Sequence, residues 1–225
     1  MNRREFISSG IVATGSAAFG SITRSLLGGR EREAGKSVPY DSEVEWLEST
    51  GPQYIDTGMI FDQSSSCELF GRAVSSSAFP FFGSRFSSSS RGFTIQKYAA
   101  GYFGGQYSGS IYYSVPTDFN WHRFCLDGGI LVFDGQIVHR FPSSKFTTPT
   151  TALLFTSSTN GTPYEIGGKM ISWCKIKGVG DDYEELVSVR FTNEDGETEG
   201  AMYGKVSGKL FRNVGAGSFI IGPDV

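Results

Sequence analysis

Trp46-Leu47-Glu48-Ser49-Thr50-Gly51-Pro52-Gln53-Tyr54-Ile55-Asp56-Thr57-Gly58 marks the point where this chain changes character. Within it, Ser49-Thr50-Gly51-Pro52 is a turn cluster, because Gly tolerates positive φ and Pro removes a backbone donor. Tyr54-Ile55-Asp56-Thr57 then alternates, which favours a short strand. The residues before the stretch are polar or signal-like. Those after it read as one β-rich body.

Composition agrees. The 225 residues hold thirty Gly, nineteen Phe and ten Tyr, with no long Ala/Leu/Glu/Lys run, so short strands and turns are expected and very little helix beyond residue 40. A body of roughly 180 residues buries about 70% of its unfolded surface and needs no metal or disulfide to fold. The formal charge of −3, with signs interspersed, offers no clustered basic face and argues against nucleic-acid binding. Cys67, Cys125 and Cys174 are far apart in β-like runs and lack zinc or redox spacing. They read as buried thiols, with one disulfide and a leftover thiol as the alternative.

Downstream, strands are expected at Ser66–Val74, Phe79–Arg85 (its start held to a strand end or sheet edge by Pro80), Gly92–Tyr98, and Gly101–Val115, a glycine-aromatic run suited to bulges. Trp121–Asp127 turns at Gly128-Gly129 into Ile130–Val138, where Asp134-Gly135 favours a hairpin. Thr151–Phe155 and Gly168–Ile176 flank an Asn160-Gly161 turn. Glu185–Phe191 pairs through Asn193–Glu197 with the next segment. Strands at this density predict a two-sheet antiparallel sandwich.

At the other end, Asn2-Arg3-Arg4-Glu5-Phe6-Ile7 leads into a modestly apolar run from Ser8 to Phe19. Arg3, Arg4 and Phe6 resemble a twin-arginine export signal. The apolar part falls short of the about 20 residues of a spanning helix. Small residues at Ala18 and Gly20 suggest cleavage after Gly20. A general-secretion signal and an uncleaved anchor are the other readings. Residues 21–40 are expected to be a flexible polar linker, so the protein is expected to be exported to periplasm, cell surface or beyond, touching the membrane only transiently through its signal.

The opening stretch, with Glu45 before it, resembles the start of a laminin-G-like domain of the concanavalin A-like lectin/glucanase superfamily. The hairpin entered by Trp121-His122 and turned at Asp134-Gly135 carries the likeness further. So does the end, where Lys205-Val206-Ser207-Gly208-Lys209-Leu210-Phe211 and Gly222-Pro223-Asp224-Val225 match the family's pattern, with Gly204 standing where the family has an acidic residue. The resemblance covers 45–225 and implies a jelly-roll topology for the body at 41–225.

Function is constrained more loosely. Glycosidic hydrolysis needs two carboxyl groups about 5 to 9.5 Å apart. The nearest string, Asp195-Gly196-Glu197-Thr198-Glu199, falls on an expected hairpin turn, so solvated acids are expected there and no catalytic residue is assigned. His122 and His139 lack the strained Gly-x-Ser-x-Gly elbow of a serine triad and are expected to pack or to hydrogen-bond. No cofactor or metal ligand is assigned, although the resemblance alone leaves room for calcium. Sugar binding by ring stacking remains. The candidates are Tyr98, Tyr102, Tyr107, Arg91 and Gln106, near Gln96, Tyr112 and Tyr113, and among the rings Tyr102 and Tyr107 are expected to be the most exposed. The leading expectation is a non-catalytic module that binds a glycan or another surface component. A structural or assembly module of the cell envelope is the alternative, and a diverged glycoside hydrolase ranks third.

Overall fold

The computed structural model describes residues 38–87, 90–98, 101–164 and 167–225. Arg3, Arg4, Phe6 and nearly all of the expected linker lie outside them. Residues Pro39–Val225 form one compact unit. Among the described residues there is no helix, and the chain runs through β1 (Ser42–Glu43), β2 (Leu47–Ser49), β3 (Ile55–Asp56), β4 (Ser66–Ala73), β5 (Phe79–Arg85), β6 (Gly92–Tyr98), β7 (Tyr102–Ser108), β8 (Ser110–Pro116), β9 (His122–Asp127), β10 (Ile130–Phe133), β11 (Gln136–Arg140), β12 (Leu153–Leu154), β13 (Ser157–Thr159), β14 (Thr162–Tyr164), β15 (Lys169–Lys177), β16 (Tyr183–Thr192), β17 (Thr198–Gly204), β18 (Leu210–Phe211) and β19 (Ile220–Ile221).

These strands make a two-sheet sandwich of the jelly-roll kind. The longer sheet is ordered β11-β10-β9-β4-β15-β16-β17-β18, and the shorter β14-β13-β5-β6-β7-β8. Pairing is antiparallel throughout except between β13 and β5. Strand β4 shows why the layers form: Cys67, Leu69, Gly71 and Ala73 are buried while their neighbours are partly exposed, the period of two that presents one apolar face. Between the layers Phe61, Phe79, Phe81, Phe82, Phe93, Phe103 and Phe155 are almost wholly buried. Several of these rings meet edge to face, Phe61 and Phe82 at 5.2 Å among them. Each buried Phe contributes about 1.5–3 kcal/mol of transfer free energy.

The Trp46–Gly58 stretch is the corner that joins the layers. Leu47 sits in the longer sheet between Ile171 and Ile221, whereas Ile55 pairs with Leu154 in the shorter one. The turn between them is tied by Ser49 Oγ, which donates to Gln53 O at 3.0 Å, and by Gly51 N, which donates to Gln53 Oε1 at 3.1 Å. The chain end returns here, since Val225 N donates to Glu43 O at 3.1 Å. The two ends of the sequence resemblance are thus neighbours in space.

Gly204 closes β17 without positive φ, and a Cβ there would lie 2.6 Å from the Glu184 carboxylate. The residue makes room for Glu184, whose oxygens accept from Glu185 N, Val206 N and Ser207 N at 3.0, 2.9 and 3.1 Å.

Candidate functional site: the outer face of the shorter sheet

Strand β6 sets the two faces of the shorter sheet. Phe93 and Ile95 point inward, opposite Tyr107 and Gly105 of β7. Alternation sends Thr94 and Gln96 outward. Register then carries one row from β5 to β8, with β13 and β14 beside it. Tyr164 stands opposite Ser157. On its other edge β5 takes two neighbours, Leu153 of β12 opposite Gly83 and Ser158 of β13 in parallel with Ser84. Gly83 is opposite Thr94, Thr94 opposite Gln106, and Gln106 opposite Ile111.

Gly83 begins the row at φ +143°, and a Cβ there would fall 2.3 Å from Phe93 O and 2.8 Å from Thr94 Cγ2. Only glycine lets β5 and β6 approach this closely. Ser157, Thr94 and Gln106 are fully buried, and Gln96 in the next row is 3% exposed. Ser157 Oγ, Thr94 Oγ1, Gln96 Oε1 and Gln106 Oε1 nevertheless have no hydrogen-bond partner among the described residues. The amide nitrogen of Gln106 is engaged, donating to Ser87 O at 3.3 Å and Ser108 O at 3.2 Å. A buried polar group left unpaired costs about 1–3 kcal/mol, so four on one face are a costly concentration.

Aromatic rings bound the face on both sides. Toward β14, the Arg85 guanidinium lies 4.1 Å over the Tyr164 ring and its Nε donates to Thr159 Oγ1 at 3.0 Å. Toward β8, Tyr98 and Tyr113 pack with centroids 4.7 Å apart, and Tyr102 is opposite Tyr98.

Of the residues singled out in the sequence, Tyr98, Tyr102 and Gln106 come together on this face, with Tyr102 exposed. Tyr107 does not. Its ring is 3% exposed, stacks on Phe141 at 5.8 Å and donates its hydroxyl to Gln63 O at 2.8 Å, while burial pushes the phenol pKa up. The expectation of an exposed Tyr107 is corrected: the flanking glycines lie on both faces, so they say nothing about which way this ring points. Arg91 is exposed at the turn into β6, with φ +45° and its guanidinium 4.6 Å over Phe86. Ser157, Thr94, Arg85 and Tyr164 were not singled out. Only the alternation of Gly92–Tyr98 could have marked Thr94, since the others depend on the register of β13.

The acidic string lies elsewhere. Asp195 and Glu197 are exposed in the β16–β17 turn of the longer sheet, where Asn193 Oδ1 accepts from both of their amides. His139 stacks on Tyr112 at 4.1 Å. His122 is buried against Phe133, with Nδ1 2.7 Å from Asp134 Oδ2 and Nε2 2.6 Å from Asp118 Oδ1. Among the described residues no cluster of three or more His, Cys, Asp or Glu converges to hold a metal. A separate cleft of about 380 Å³ lies at the opening corner, lined by Pro52, Tyr54, Thr156, Pro163 and Ala216 among others. No family model matches the chain, and no curated protein matches it.

Proposed function

We propose that this protein is an exported, non-catalytic sandwich module of the laminin-G-like kind that binds a neutral glycan, or another surface component rich in hydroxyls, on the outer face of its shorter sheet. The observation that carries the reading is the pair of accessible rings that bound this face, Tyr164 at 39% exposure on one side and Tyr102 at 38%, opposite Tyr98, on the other. Tyrosine rings pack against the apolar faces of sugars. Neutrality follows from the row itself, which carries no carboxylate, and from Arg85, whose charge is already engaged by a ring and a hydroxyl.

The test is a screen of the purified full chain on a broad glycan array and on cell-wall preparations, repeated with Tyr102→Ala and Tyr164→Ala. Retention that falls in both variants, with an unchanged circular dichroism spectrum, supports the reading. A chain that retains nothing, or variants that bind like the parent, overturns it.

A further inference from the structure

Strand β8 is the outermost strand of the shorter sheet and pairs only with β7 among the described strands. Its outer edge therefore presents a row of backbone donors and acceptors. Folded proteins protect such edges with lysines, with a proline inside the strand, or with a covering segment. Ser110-Ile111-Tyr112-Tyr113-Ser114-Val115-Pro116 has no charge at all, and its one proline stands at the last position. On its outward face Ile111 and Tyr113 are 40% and 52% exposed. A long, neutral edge flanked by apolar side chains fits an extended strand as its partner.

We infer that this edge is an interface between two copies of the chain, which pair β8 with β8 antiparallel about a two-fold axis centred on Tyr112. Three features of the strand select a second copy. First, residues directly opposite in an antiparallel pair share a face, so centring on Tyr112 sets each Ile111 against Tyr113 of the second copy. All four exposed apolar side chains are then covered at once. Second, Ser110 meets Ser114 of the second copy at both flanks, which leaves no polar group opposite an apolar one there. Third, the strand is neutral, so bringing it against itself opposes no like charges.

The interface is isologous and closes at two copies. It also makes the two outer faces continuous, because Ile111 ends the Thr94–Gln106 row and Tyr113 of the second copy lies next along it. The association does not depend on what that row binds, and it is read by a different measurement.

Light scattering coupled to gel filtration on the full chain is the test. The parent is expected at twice its 24.5 kDa chain mass. Ile111→Glu alone and Tyr113→Lys alone each place two charges against apolar partners and are expected to raise the dissociation constant about tenfold or more. Mixed together they are expected to recover the dimer, since in this register the new carboxylate of one faces the new ammonium of the other. Both positions are exposed, and unchanged circular dichroism and melting temperature of the variants show that the fold is kept. A monomeric parent, an open-ended series of oligomers, variants that associate like the parent, or a mixture that stays as weak as its components would each overturn the inference.

Discussion

Thr94 on β6 and Gln106 on β7 stand directly opposite each other, both fully buried, and each keeps an oxygen that no described residue satisfies. Neighbouring unpaired oxygens in a rigid sheet are poor for stability. Replacing a buried, unpartnered hydroxyl by an apolar group of the same shape is neutral or stabilising. Thr94→Val is therefore expected to leave the urea midpoint unchanged or to raise it, by an amount worth up to about 1 kcal/mol. A clear loss of stability would mean that the hydroxyl has a structural partner.

Glu184 makes the opposite case, a buried carboxylate that is fully used. It is 2% exposed and accepts three backbone N–H groups, two of them from the Lys205–Gly208 turn. Truncation to Ala leaves those donors without an acceptor, at about 1–3 kcal/mol for each donor that stays buried. Glu184→Ala is expected to lower the chemical denaturation midpoint by an amount worth about 2–4 kcal/mol, since part of that loss is recovered by water. Gly204→Ala, which pushes a methyl against the same carboxylate, is expected to shift it in the same direction by less. Equilibrium urea unfolding monitored by tryptophan fluorescence reads both.

The contrast between these sites parallels what the sequence made legible. Local turn chemistry was readable: Asp134-Gly135 takes positive φ at both residues, as do Gly128-Gly129 and Asn160-Gly161, and the hairpins fall where those pairs stand. The β-rich corner at Trp46–Gly58 was readable for the same reason. Strands β13 and β14 were not, because Ser157–Thr159 and Thr162–Tyr164 are three residues each and owe their conformation to distant partners, β13 lying parallel to β5. Facing was the other gap. A bulge between Phe103 and Gly104 shifts the register against β8, and glycine gives no hint of which side is buried, so Tyr107 reads outward in the sequence and points inward in the fold. The outer row depends on facing, since its Gln106 lies one residue from Tyr107.

Asp118 gives the fold a defined acid sensitivity. The hydrogen bond from His122 and those from Asn120 hold its carboxyl at about 2, below the ordinary 3.8. A carboxyl whose pKa is depressed by folding contributes stability above its unfolded value, and that contribution is lost as pH falls through the folded one. The stability advantage of the parent over Asp118→Asn is therefore expected to be full above pH 3.8 and to shrink as the pH approaches about 2. Because the Asp118 side chain is 49% exposed, solvent screens the interaction and the advantage is small. Thermal melts of both proteins across that interval check the sign. An advantage that grew on acidification would contradict the pairing.

The three cysteines offer a chemical readout of the same core. All are free thiols; Cys67 and Cys174 are wholly buried with their sulfurs 3.8 Å apart, and Cys125 is half-buried. Burial pushes Cys67 well up, helped by the contact with Cys174. Burial and the nearby Glu68 and Asp127 charges push Cys125 up to about 12. Only the thiolate attacks a disulfide reagent, so at neutral pH the native chain is expected to react slowly at all three positions. Cys125 should react first, being the least enclosed. Unfolding in guanidinium should release three equivalents of thiol at once. A count of one would mean that Cys67 and Cys174 are joined, and a fast equivalent in the native chain would mean that the strand carrying Cys125 opens far more readily than its place between β4 and β10 implies.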